Sequence, residues 1–281
     1  MLRTRVITAL VLALVFLLAL FWLPPRAWAA FAGVLILPAA WEWGKLIKLP
    51  RTACGLYVIV ILAACAVLFA LAQDDLPGGR VVRQSGGLQS AVYLGASLFW
   101  LLVVPLWLWR SWLPRARWLA ALTGLLVLVP TWLALVELRT LGPLLLLLLM
   151  SVAWVSDIAA YFVGRRFGRH KLAPSVSPGK TWEGVLGAVL AVSLYGALWS
   201  FAWQAHFPPA LKSTSFGTFG MLLFLWLLTA IGIYGDLFES AMKRQAGVKD
   251  SGTLLPGHGG VLDRIDALTA VLPIAALAYL P

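Results

Sequence analysis

The stretch GPLLLLLLMSVAWVSDIAAYFV, residues 142–163, holds one charged side chain, Asp157. A run this long and this apolar suits a helix crossing a bilayer, which needs about 20 apolar residues. It does not alternate apolar with polar residues, so it is not a strand of a membrane barrel. A carboxylate inside such a run is costly and marks a functional site by default. This one segment therefore predicts both an environment, lipid, and a place to look for chemistry.

Eight further runs flank it, at 6–23, 28–44, 54–72, 91–109, 118–137, 182–203, 218–238 and 265–280. The whole chain of 281 residues is 62% hydrophobic and only 12% charged, with a mean hydropathy of +0.91. A soluble domain is about half apolar and a quarter charged. The expected fold is an all-α polytopic membrane protein of about nine transmembrane helices. Helices satisfy their own backbone polar groups in lipid. No repeat and no soluble domain is visible, and the chain divides into N-terminal helices over 1–140 and a C-terminal catalytic region over 141–281. Cys54 and Cys65 share one apolar run and read as packing residues.

The net charge of +11 does not point to nucleic acid. Seventeen of the Lys and Arg residues fall on one alternating set of inter-run segments and five on the other. The positive-inside rule then places the N-terminus in the cytoplasm and the C-terminus outside. The start, with Arg3, Arg5, an apolar run and Ala27-Trp28-Ala29, imitates a signal peptide. The run exceeds the usual h-region, and Pro24-Pro25 suits an interfacial turn, so a retained first helix is expected.

Of eleven acids, Glu42, Asp74, Asp75 and Glu137 lie in the first half and read as loop or helix-end charges. The other seven, Asp157, Glu183, Asp236, Glu239, Asp250, Asp263 and Asp266, fall at the cytoplasmic ends of four predicted helices and in their loops. In YGDLFESAMKR, 234–244, the residues Asp236, Glu239, Ser240 and Lys243 recur at i, i+3, i+4 and i+7 and share one helix face. In KDSGTLLPGHGGVLDRID, 249–266, four glycines and Pro256 disfavour helix interior. Gly-rich turns expose N–H groups that bind anions. The last helix is expected to start near Val261, with Asp263 and Asp266 in its first two turns.

Hard carboxylate oxygens suit Mg²⁺, and clustered cations suit phosphate. No Ser/His/Asp triad and no zinc ligand set is evident. This combination predicts Mg²⁺-dependent phosphoryl or nucleotidyl transfer between a soluble and a lipidic substrate. SPGKTWEG, 177–184, imitates the end of a Walker A loop, but Pro174 stands where that motif requires Gly. Ser177 or Thr181 is expected to cap the seventh helix, with Pro178 in its first turn.

SAMKRQAGVKDSGTLLPGHGGVLDRID, 240–266, resembles the signature of the phosphatidate cytidylyltransferase (CDP-diacylglycerol synthase) family, S-x-x-K-R-x4-K-D-x-G-x3-P-G-H-G-G-x-x-D-R-x-D, with every fixed position filled. The family's GDLxES pattern matches at 235–240, D-x-x-A-Y-x-x-G-R-x-F-G at 157–168 and SPxKTxEG at 177–184. Gly179 departs from it, where relatives carry a second lysine. The resemblance covers the C-terminal half; the first 140 residues match only in being hydrophobic.

The resemblance implies the reaction CTP + phosphatidate → CDP-diacylglycerol + pyrophosphate, with Mg²⁺. It also implies that Asp236 and Asp263 hold the metal, with a second ion such as K⁺ beside it. Asp157, Glu239 or Asp266 is expected behind those ligands. Lys243, Arg244, Lys249 and Arg264 would neutralise phosphates, and Asp250 stands among them. Ser177, Lys180, Thr181, Ser240, Gly259 and Gly260 would contact phosphate, and His258 would shape the loop. The partners implied are CTP, phosphatidate and membrane lipid at the cytoplasmic face of a bacterial inner membrane, and a homodimer is left open. The rival readings are a CTP-dependent lipid kinase of the dolichol or phytol kinase kind and, more remotely, an ion-coupled transporter, whose site would sit near the midplane between repeats.

Overall fold

A computed structural model describes residues 2–71, 87–202, 217–255 and 257–280. Asp74, Asp75, Arg80, Arg83, Lys212 and Pro256 lie outside the described residues, as do the side chains of Arg3 and Arg5. Among the described residues the nine apolar runs form nine helices: α1 (Leu2–Trp22), α2 (Pro25–Leu46), α3 (Arg51–Leu71), α4 (Gly87–Arg110), α5 (Arg117–Leu141), α6 (Pro143–Phe167), α7 (Trp182–Ala202), α8 (Gly217–Ala246) and α9 (Leu262–Tyr279). By length and composition α3 to α8 include six candidate membrane spans, and α1 adds the shorter apolar stretch Val6–Trp22.

The expectation of helix alone needs one correction. Between α6 and α7 lies an antiparallel hairpin of β1 (Lys171–Ala173) and β2 (Ser177–Thr181), pairing Lys171 with Thr181 and Ala173 with Ser177. Ser177 and Pro178 therefore belong to a strand rather than to a helix start. Thr181 does cap α7: its Oγ1 accepts the Gly184 N–H at 3.1 Å.

Outward faces are apolar, as lipid contact requires. On α7 the stripe Leu186, Leu190, Leu194 and Leu198 is exposed at four-residue spacing. On the inner face α7 crosses α6 closely. A Cβ at Gly184 would lie 2.8 Å from the Ala160 carbonyl oxygen and 3.5 Å from the Gly164 Cα. Small residues permit such approach where lipid supplies no hydrophobic drive.

The two halves of the chain share one core. α9 packs on α8 and α6 and also on α4 and α5, and its segment from Ala267 to Ala276 is buried throughout. α8 is anchored by Phe238, which is buried among Trp43, Phe99, Trp100 and Trp107, with ring centroids 5.7–6.3 Å away. A π-turn at Phe99–Val103 within α4 supplies two of those rings. Phe238 thus turns one side of α8 into the aromatic core and leaves the other for its acids. Cys54 and Cys65 are buried and unpaired by disulfide. Trp28 is buried inside α2, with Pro24 at the turn before it.

Candidate active site

The C-terminal ends of α6 and α8, the N-terminal ends of α7 and α9 and the β1–β2 hairpin come together at one end of the bundle. The side chains there form two adjoining clusters on successive turns of α8.

The first cluster centres on Asp236. Its Oδ2 pairs with the Lys180 ammonium at 2.6 Å, and its Oδ1 accepts the Ser240 hydroxyl at 3.1 Å. Asp157 from α6 stands within electrostatic range of Asp236, Lys180 and Arg264. Asp266 from α9 stands within range of Asp236, Asp157 and Lys180. Three helices and the hairpin thus bring three carboxylates around one ammonium. Ser240, expected at phosphate, here spends its proton on Asp236.

The second cluster centres on Lys243. Its ammonium bonds Glu239 Oε2 at 2.8 Å and Asp263 Oδ1 at 2.6 Å. Asp263 Oδ2 accepts three further bonds, from the Ser251 N–H (2.9 Å), the Ser251 hydroxyl (3.0 Å) and the Gly260 N–H (2.8 Å). Glu239 is 3% exposed, and its Oε1 is buried with no hydrogen-bond partner among the described residues. Glu239 also feels Asp266, which links the clusters. The expected single face of Asp236, Glu239, Ser240 and Lys243 is therefore two neighbouring hubs.

The N–H groups at the end of the glycine loop and the start of α9 serve carboxylates of the chain itself. The Gly260 N–H serves Asp263, and the Val261 and Leu262 N–H groups serve Glu42. Gly259 has φ +85°, a left-handed conformation that favours glycine, and accepts the Leu255 N–H at the neck of the turn. The His258 N–H closes the same turn onto the Leu255 carbonyl. Lys249, Asp250, Arg244 and Arg264 are exposed at the rim. Arg244 reaches back to the Val176 carbonyl in the hairpin turn at 3.4 Å.

The hairpin is tied to α7 by Glu183, whose carboxylate accepts the His170 N–H (3.2 Å) and stands 2.7 Å from the His170 ring. This positions Lys180. Gly164 and Gly168 leave room for Thr181, which a Cβ at either would crowd at under 3 Å. The motifs at 157–168 and 177–184 are thus two sides of one contact.

Glu42, read from the sequence as a helix-end charge, is 3% exposed and belongs to this site. No local signal betrays it, since its partners lie more than 200 residues away.

Among the described residues no group of three or more His, Cys, Asp and Glu side chains is arranged to hold a metal ion. Magnesium rarely needs such a cage; it takes one or two carboxylates, substrate phosphates and water. The donor set suits it. All candidate ligands are hard oxygens, Glu239 Oε1 is unclaimed among the described residues, and Asp236 already holds a cation in Lys180.

A family model described as the Cytidylyltransferase family matches residues 3–280. A phosphatidate cytidylyltransferase of Pseudomonas aeruginosa is 40% identical over 286 residues, covering 98% of this chain and 96% of its own. One of Haemophilus influenzae is 34% identical, covering 99% of both. One of Thermotoga maritima is 43% identical over 141 residues, half of each chain. The likeness to the first two extends over the N-terminal helices, beyond the C-terminal half to which the motifs are confined.

Proposed function

Since the chain belongs to the cytidylyltransferase family, we propose that it transfers the cytidylyl group of CTP to phosphatidate, giving CDP-diacylglycerol and pyrophosphate. The observation that carries this reading is the meeting of Asp157, Lys180, Asp236 and Asp266 beneath a rim of exposed cations. Phosphatidate already carries an anionic nucleophile, so no strong base is required. A phosphate oxygen of the lipid attacks the α-phosphorus of CTP in line. The new O–P bond forms as the bond to the β-phosphate oxygen breaks, and the electron pair leaves with pyrophosphate.

Two anions must approach each other, and Arg244, Lys249 and Arg264 lower that repulsion from the rim. Lys180 is the cation paired with Asp236 and is the natural contact for a phosphate oxygen once Asp236 turns to another cation. Asp236 would hold Mg²⁺, and Asp263 would join it by exchanging Lys243 at Oδ1. Glu239 and Asp157 stand behind them, and a second ion such as K⁺ would share the site. Bound there, Mg²⁺ supplies charge stabilisation at the phosphates. Lys243, while it remains there, offsets part of the charge of Glu239 and Asp263.

The site opens at the cytoplasmic membrane surface, in keeping with the seventeen-to-five distribution of basic residues. CTP then arrives from water and phosphatidate from the leaflet.

The test uses full-length protein in mixed micelles with phosphatidate, Mg²⁺ and CTP labelled at the α-phosphorus. Label is expected in the lipid phase, dependent on both phosphatidate and Mg²⁺. Label left in water as CDP, with the γ-phosphoryl group on a lipid alcohol, would assign a lipid kinase. No consumption of CTP would overturn the enzyme reading.

A further inference from the structure

Glu42 lies on α2, far in sequence from every motif that the function uses, yet its carboxylate is built into the loop that carries Asp263. Oε1 accepts the Val261 N–H at 3.1 Å. Oε2 accepts the Leu262 N–H at 2.8 Å and the Ser251 hydroxyl at 3.2 Å. No ion pair involves it among the described residues. A buried carboxylate without a cation is costly, and here the N-terminal dipole and open N–H groups of α9 balance it. Val261, at the N-cap position, makes no side-chain cap of its own.

A second observation is independent of that cap. A Cβ on Gly252 would collide with Glu42 Oε1, and a Cβ on Gly260 would stand 2.6 Å from both Glu42 oxygens. Two glycines of the loop therefore make room for this one side chain. A third concerns Ser251. Its hydroxyl has a single proton and two carboxylate acceptors, Glu42 Oε2 and Asp263 Oδ2. Consecutive N–H groups divide in the same way, Gly260 to Asp263 and Val261 to Glu42. The contacts form a continuous chain, Glu42 to Ser251 to Asp263 to Lys243.

We propose that Glu42 is a positioning residue of the active site, through which α2 sets the placement of Asp263 and of the α9 N-terminus. The proposal rests on the cytidylyltransferase reading of the site. A helix cap alone would be served by a neutral hydroxyl at position 261. A carboxylate brought from another helix does more, because it fixes the loop against a rigid span. Its two oxygens cannot be replaced by an amide, whose NH₂ would face an N–H donor.

The experiment compares wild type, Glu42→Gln and Ser251→Ala as full-length proteins in the same micelles. It measures melting temperature, kcat, KM for CTP and the Mg²⁺ concentration for half-maximal rate. Glu42→Gln is expected to lower kcat about 10- to 100-fold and raise the Mg²⁺ requirement, as groups that orient ligands do, with KM for CTP within about threefold. Ser251→Ala, which breaks the bridge but spares the cap, is expected to lower kcat about tenfold. A folded Glu42→Gln protein with a lower melting temperature but wild-type kcat and Mg²⁺ dependence would overturn the proposal. Should Glu42→Gln not fold, Ser251→Ala decides alone, and unchanged kcat and Mg²⁺ dependence in it overturn the proposal. Failure of wild type to consume CTP would instead sink the enzyme reading, so the two failures are distinguishable.

Discussion

The polar side chains of α1–α5 and those of α6–α9 solve different problems. In the first group, indole, phenol and guanidinium groups mostly reach across to backbone carbonyls of a neighbouring helix, with Tyr93, which donates to the buried Glu137 carboxylate at 2.7 Å, as an exception. Trp28 donates to Leu135, Trp43 to Ala120, Tyr57 to Ala121, Trp132 to Ala29 and Arg139 to Leu20. Each such bond fastens a side chain of one helix to the backbone of another. In the second group, charged side chains meet one another: Lys180 with Asp236, and Lys243 with both Glu239 and Asp263. Removing a member there leaves a neighbour with an uncompensated charge. The first pattern fastens helices; the second stores electrostatic potential at one end of the bundle. Glu42 belongs by position to the first group and by bonding to the second.

The sharpest way to break this contrast is Asp236→Asn. Losing the charge that would hold the metal is expected to cost roughly 10³-fold in turnover, several kcal/mol of charge stabilisation, while the protein stays in the membrane. Near-normal lipid labelling in that variant would remove the metal assignment. Next comes Lys180→Met, expected to lower kcat/KM by about 10²-fold as the loss of one preorganised donor does; steady-state rates across CTP concentrations read this directly. Glu183→Ala acts one step further out. It frees the hairpin from α7, and a loss of about tenfold in kcat is expected, measured alongside the Lys180 variant. The smallest effect belongs to the other region. Tyr57→Phe is expected to lower stability by about 1 kcal/mol and to leave kcat unchanged, as thermal unfolding and turnover on one preparation will show. A large loss of kcat from Tyr57→Phe would erase the distinction between the regions.

Much of this site is legible without coordinates. Asp157 and Asp236 stand out because charge is rare in apolar runs. Asp263, Asp266 and the glycines stand out because they crowd a short polar stretch. Lys180 is legible only as a basic residue at a helix entry; its pairing with Asp236 is not. The hairpin escapes because strands of three and five residues between long helices carry too little alternation to register. The i, i+3, i+4, i+7 face on α8 is correctly one face, but its division into two hubs depends on what α9 and the hairpin bring to it. Thr181 is legible as a cap, and Ser177 misleads because the same residue type begins a strand.

The order of apolar runs along the chain already places the helices found among the described residues, since lipid demands long apolar runs and polar residues must interrupt them. The sequence also determined which carboxylates are candidates, because each stands out against its own segment. Which groups those carboxylates hold depends on how the helices pack. Helix periodicity says which residues share a face and nothing about what the face will meet. Glu42 shows the limit: its meaning lies in two N–H groups and a hydroxyl on the far side of the chain, and only the packing of α2 against the start of α9 brings them within hydrogen-bonding distance.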